Sequence, residues 1–383
     1  MAMFMVKPWY KKNNVDPAIY GAEWAGSGSP AWTRTDAAAN FADPSPQYKM
    51  SNSTWSVGSS PFDNIMPWAG MRIVEDSSAG TLVEIPKFYY KWTRSGTAMK
   101  LQITSSPVTA RANGFYTSPA HADRGDGVGE RNYVYVARYH CATSSPSYKS
   151  KTGYNPVGSK NVSDFRTYIH NLGANIWQYD FAMYWTIMML YLVEFAHWNS
   201  QEKIGYGCGE GTSVVNNGAT DSMTYHTGTN VTSRTTYGHV QYRHIEGLWS
   251  NVETFVDGIF FQNADVYTSK NPSDYRYGYT RGEKVGTRAT TSGVTTSWIT
   301  PNQTGYEYAL YPNSANSSAA TIFYVCDKSK FNNSGTILIV GGNCSGQSLD
   351  QGAFFMDGYQ SGGTYKSSLV GGRLMVLPPS RLT

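Results

Sequence analysis

The sequence predicts an α+β fold, and three observations carry that expectation. Short apolar runs near the C-terminus abut glycine pairs: Thr336–Val340 precedes Gly341-Gly342, and Leu374–Leu377 follows Gly371-Gly372. Two helical patterns occupy the middle of the chain, between residues 163 and 198. The composition is that of a turn-rich scaffold, with 38 Gly and 29 Tyr among 383 residues and only 15% charged side chains. Soluble domains usually carry about a quarter of charged residues, so surface and loops must be built from Ser, Thr, Asn and aromatic groups. The net charge of +4 is spread without a basic cluster, which argues against a nucleic-acid partner.

The order of elements follows from local signals. Residues 1–75 read as a small, loop-rich N-terminal docking or oligomerisation module. Pro17, Pro30, Pro44 and Pro46 interrupt helices there, and Trp24, Trp32 and Trp55 supply anchoring surface. The apolar run Met1–Val6 is too short for the core of a signal peptide and lacks a cleavage pattern, so synthesis in a cytoplasm without export is expected. Residues 76–383 are expected to form the main domain. Leu82–Trp92 reads as one strand, with Pro86 marking an edge or a bulge. Arg124-Gly125-Asp126 is explained by a turn. Tyr133–Tyr139 alternates as a strand should.

Ser163 is placed to cap the first helix, with Phe165, Tyr168, Ile169 and Leu172 at helical spacing before Gly173. Asp180 is placed to cap the second, which runs to about Trp198. Its apolar run from Phe181 to Val193 is too short to span a bilayer, so no membrane insertion is expected. A helix apolar nearly all round belongs in a core, which makes Glu194 and His197 satisfied polar groups at its end. Cys141, Cys208, Cys326 and Cys344 are far apart and lack the spacing of metal ligands, so they read as buried or incidental thiols.

Between the two glycine pairs, Asn343–Val370 is mostly polar and carries no obvious secondary structure. Loops of that length are uncommon in compact domains and usually serve a function. Tyr359 and Tyr365 set among Ser and Gly are the mixture found in binding loops, where rigid aromatic anchors sit beside adaptable polar groups.

Val340-Gly341-Gly342-Asn343, the polar middle, and Gly371-Gly372-Arg373-Leu374 together resemble the variable region of phage proteins diversified by retroelements. Gly247–Gly258 resembles the Asn-Val, Glu, aromatic, Val-Asp-Gly segment of C-type-lectin domains of the formylglycine-generating-enzyme class, with Phe255 as the second aromatic. Tyr20–Trp24 and Ala31–Asp36 are similar to segments of phage tail-fibre and receptor-binding proteins. The resemblance implies a C-type-lectin fold with a variable region at 341–373. It further implies a receptor-binding face on the virion at the phage tail tip, contacts to tail or baseplate proteins through the N-terminal module, and a homotrimer. Arg373 would then be a structural anchor of the closing strand.

The residues expected to contact a bacterial surface receptor, protein or glycan, are Asn343, Cys344, Ser345, Leu349, Asp350, Asp357, Tyr359, Gln360, Thr364 and Tyr365. Most are types that adenine-directed mutation of an Asn codon produces; Gln347, Gln351, Met356, Gln360 and Lys366 are not, and are fixed or encoded otherwise. No enzyme activity and no cofactor or metal are expected. The paired thiolates that hold copper in oxidases of this class have no counterpart in Cys326 and Cys344, and the tripeptides of calcium-dependent sugar binding are absent. Two other readings stay open. One is a tailspike-type glycan depolymerase using a carboxylate pair such as Asp350 and Asp357. The other is a bacterial surface adhesin diversified by the same route.

Overall fold

A computed structural model describes residues 16–26, 28–51, 53–143, 148–208, 213–233, 237–275, 282–299, 304–316, 327–332, 334, 336–345, 351–360 and 363–382. Among them the chain is rich in strands, with few helices: α1 (Pro107–Asn113), α2 (Val162–His170), α3 (Phe181–Phe195) and the single turn α4 (Ser200–Lys203). That is compatible with an α+β or β-rich architecture. Its hub is α3. The Asp180 carboxylate accepts the backbone N–H of Met183 at 2.8 Å and so caps the free donors of the first turn. Every residue from Phe181 to Phe195 is buried, as an all-round apolar pattern requires. The helix stops at Ala196, which takes a left-handed backbone.

Three sheets contribute to the core around α3. One runs in the order Thr33–Asp36, Tyr20–Trp24, Ala98–Thr104, Tyr89–Ser95, Tyr116–Thr117. A second runs Arg72–Asp76, Gly80–Pro86, Tyr133–Ala137, Leu374–Val376, Ile176–Gln178. The third has seven strands in the order Tyr311–Asn316, Gly293–Ile299, Lys328–Phe331, Met356–Gly358, Leu338–Val340, Glu253–Val256, Val370–Gly371. Alternation along each strand divides its side chains between two cores. Val83, Ile85, Val256, Leu338 and Met375 face the large core with α3. Leu82, Phe255, Ile339, Leu374 and Val376 face a smaller core closed by Val162, Phe165 and Ile169 of α2.

Several expectations are corrected. The boundary at residue 75 does not separate two cores among the described residues. Tyr20–Trp24 pairs with Ala98–Thr104 over its whole length, and Trp24 and Trp32 pack edge-on against Trp198 at the end of α3. Residues 1–15 of the expected docking module lie outside the described residues. The strand expected at Leu82–Trp92 is two strands in two sheets, because the chain turns out of the ladder after Pro86, which has no N–H to donate. The first helix begins one residue before Ser163 and is capped by Asn161 in a reciprocal box with Asp164. Arg124 is buried and hydrogen-bonds the Asp180 carboxylate and the Tyr275 hydroxyl, so it braces the cap of α3. The long polar loop is not structureless: Met356–Gly358 is an inner strand of the seven-stranded sheet.

Candidate functional site

Four strands of the seven-stranded sheet bring one row of side chains together. Phe255 pairs with Ile339, Ile339 with Asp357, and Asp357 with Lys330. Paired residues share a face, so this row passes from apolar to charged across the sheet. Phe255 and Ile339 are covered in the smaller core beneath α2. Asp357 and Lys330 instead line a cleft of about 410 Å³ together with Ser329, Tyr359 and Gln360.

Glu253 lies two residues from Phe255 on the same strand and therefore points to the same side. Burial, then the neighbouring Asp357 carboxylate, push its pKa up to about 7, against the pull of Lys330 and the Asn343 amide. Burial also raises Asp357, opposed by the Tyr359 N–H, Lys330 and the Gln360 side chain. The Lys330 ammonium sits 5.1 Å above the Phe355 ring, within cation–π range. Two carboxylates and one ammonium are thus held under the chain that carries the expected binding residues.

That base sets what the loop presents. Asp357 Oδ1 accepts the Tyr359 N–H at 2.8 Å, fixing the turn from which the Tyr359 ring projects at 50% exposure. Asn343 donates its side-chain amide to Glu253 Oε1 at 2.9 Å and its backbone N–H to Gln351 Oε1 at 2.7 Å. Its own oxygen accepts the N–H and hydroxyl of Ser345. Gly341 and Gly342 both have positive φ, and a Cβ on Gly341 would lie 2.5 Å from the Leu248 carbonyl oxygen, so the chain enters the loop by a path open to glycine.

The expected contact residues separate accordingly. Ser345, Tyr359 and Thr364 are exposed and Gln360 is half-buried in the cleft wall. Asn343 is half-buried and spent on the clamp just described. Tyr365 is half-buried against the smaller core, within electrostatic reach of Glu253 and Asp357. Two expectations are overturned. Asp357 is 4% exposed because it belongs to an inner strand, and Cys344 is 1% exposed because its N–H donates to the Asn251 carbonyl, drawing it inward. Leu349 and Asp350 lie outside the described residues, as does Cys326. Phe354, in the same loop, is a core plug packed edge-on against Trp198 at 4.8 Å.

Sequence reading missed Lys330 and Glu253. Lys328-Ser-Lys330-Phe331 alternates as a half-buried strand does, and Glu253 is a charge inside the apolar run that ends at Val256, so both signals were present but pointed to no partner. Among the described residues no group of three or more His, Cys, Asp or Glu is placed to hold a metal ion, and no helix is long and apolar enough to cross a membrane. Compared with models of known families and with curated proteins, the chain matches none.

Proposed function

We propose that this chain is a non-enzymatic receptor-binding protein of a phage tail tip. In this reading a C-type-lectin-type domain presents Ser345, Tyr359, Gln360 and Thr364 to a bacterial surface receptor. The observation that carries the proposal is Tyr359: a large exposed ring held by Asp357 at the end of an inner strand, beside a cleft with polar and cationic walls. Exposed tyrosine on a rigid base gives large contact area for little loss of conformational freedom. The order of helices, the 247–258 segment, the glycine-pair strand and the closing strand with Arg373 supports the lectin-type fold. A homotrimer, with the N-terminal residues joining other tail proteins, would multiply weak sites by raising their effective concentration.

The test is binding of the purified full chain to host cells, wild type against Tyr359→Ala. Retained binding by the variant would refute the proposed face. Release of reducing sugar from host capsule would replace this reading with the depolymerase. Genomic neighbours separate the phage protein from the surface adhesin: a reverse transcriptase with a near-copy of the 341–373 coding sequence and adjacent tail genes is the expected result.

A further inference from the structure

A second cleft, of about 390 Å³, opens between α2, the edge strand Ile176–Gln178 and the turn Pro272–Tyr275. It lies beyond the opposite end of strand Glu253–Val256 from Glu253, next to Asp257, and so is separate from the loop face. A strand rises roughly 3.3 Å per residue, so four steps put Asp257 about 13 Å from Glu253. The volume falls in the range typical of small-molecule sites, about 300–1,000 Å³.

The wall chemistry narrows the occupant. Arg166 spends Nε and Nη2 on Asp257, at 2.5 and 2.8 Å. This bidentate pair cancels the charge on both groups, which disfavours a phosphate or carboxylate ligand. The His170 ring stacks on Trp177 with centroids 4.0 Å apart and planes 22° from parallel, and His170 is itself exposed. Both rings line the cleft, so its wall includes aromatic surface. The His170 Nδ1 lies 3.1 Å from the Ile176 carbonyl, a contact that requires Nδ1–H and leaves Nε2 as an acceptor in the neutral ring. Gln178 forms part of the wall and is 3% exposed. Its Nε2 donates to the Phe255 carbonyl at 2.7 Å, which fixes the amide orientation, while Oε1 has no partner among the described residues. A buried acceptor left unpaired costs about 1–3 kcal/mol, so a site that brings it a donor recovers that loss.

Aromatic wall surface, acceptors that want hydroxyl donors and a neutralised ion pair are complementary to a neutral sugar. One face of such a ring is C–H and apolar while its edge carries hydroxyls. We infer that the cleft between α2 and Ile176–Gln178 is a binding site for a neutral saccharide, packed on His170 and hydrogen-bonded along the wall that holds Gln178, Thr167 and Asn171. This goes beyond the loop-mediated recognition proposed above and does not depend on it.

Saturation-transfer NMR on the full chain tests the assignment, using the methyl glycosides of glucose, galactose and mannose, with sialic acid and a short extended peptide as controls. The expected result is transfer to at least one neutral glycoside, with affinity at least ten-fold lower in His170→Ala and in Thr167→Ala. Both side chains are exposed, so the fold should persist; an unchanged melting temperature verifies it, and the second variant stands in should the first melt early. Tyr359→Ala should leave the signal intact, which keeps this site distinguishable from the loop face. No transfer to any neutral glycoside at millimolar concentration would overturn the inference. So would equal signals in wild type and both variants, or transfer to sialic acid or the peptide alone.

Discussion

The Arg243 guanidinium grips the Glu194 carboxylate through two hydrogen bonds, 2.8 Å from Nε and 2.6 Å from Nη2, with both side chains almost wholly buried. Glu194 also accepts from the hydroxyls of Ser60 and Tyr242. Arg243 reaches the Trp68 carbonyl and Asp63 as well. One ion pair therefore joins the end of α3, the 60–68 segment and the turn after Val240–Tyr242.

Removing one partner should cost more than the pair contributes. Arg243→Met leaves the Glu194 charge buried without its counter-ion, and stability should fall by about 3–5 kcal/mol. Urea unfolding of the variant checks this. The double variant Arg243→Met, Glu194→Gln should regain part of the loss, because no bare charge remains.

Arg373 should behave as a structural anchor. It is 1% exposed and donates to the carbonyls of Ala137, Arg138, Glu246 and Gly247. Arg373→Ala would orphan several buried acceptors at about 1–3 kcal/mol each, so a loss above about 3 kcal/mol is expected. Arg373→Lys should rescue little, since one ammonium cannot reproduce the planar fork. Thermal melting of both variants measures it.

Glu253 makes the loop base sensitive to pH. Its folded pKa is raised to about 7, so the folded state holds a proton that the unfolded state releases near the ordinary value of 4.5. The resulting stability is fully present below that unfolded value and is lost as pH rises through about 7. The shift corresponds to about 3 kcal/mol between those limits. Melting temperature should decline from pH 5 to pH 8, and Glu253→Gln should flatten that slope. An unchanged slope in the variant would assign the effect to another group.

The two loop tyrosines should part company. Tyr359 is half exposed and touches no core cluster, so Tyr359→Ala should melt as wild type while receptor binding weakens by about 2 kcal/mol or more. Tyr365 packs on the smaller core, so Tyr365→Ala should melt several degrees lower whatever its effect on binding. Paired melting and host-binding measurements decide both.

Much of this protein was legible without coordinates, wherever one short stretch contains its own explanation. Asp180 before an all-round apolar run is enough to call a capped core helix, since cap and periodicity are local properties. Glu194 at the end of that run could be expected to find a partner, because a buried charge without one is too costly to keep. The anchoring role of Arg373 came only from the resemblance of its closing strand to a known family, and the structure gives it backbone carbonyls to hold. What the sequence left open depends on pairing between distant segments. Asp357 reads as a loop carboxylate until Ile339 and Lys330 flank it in a sheet and turn it inward. Tyr20–Trp24 reads as part of a separate module until its ladder to Ala98–Thr104 places it in the main core. Strand partners set which face each side chain takes, and no local pattern encodes a partner dozens to hundreds of residues away.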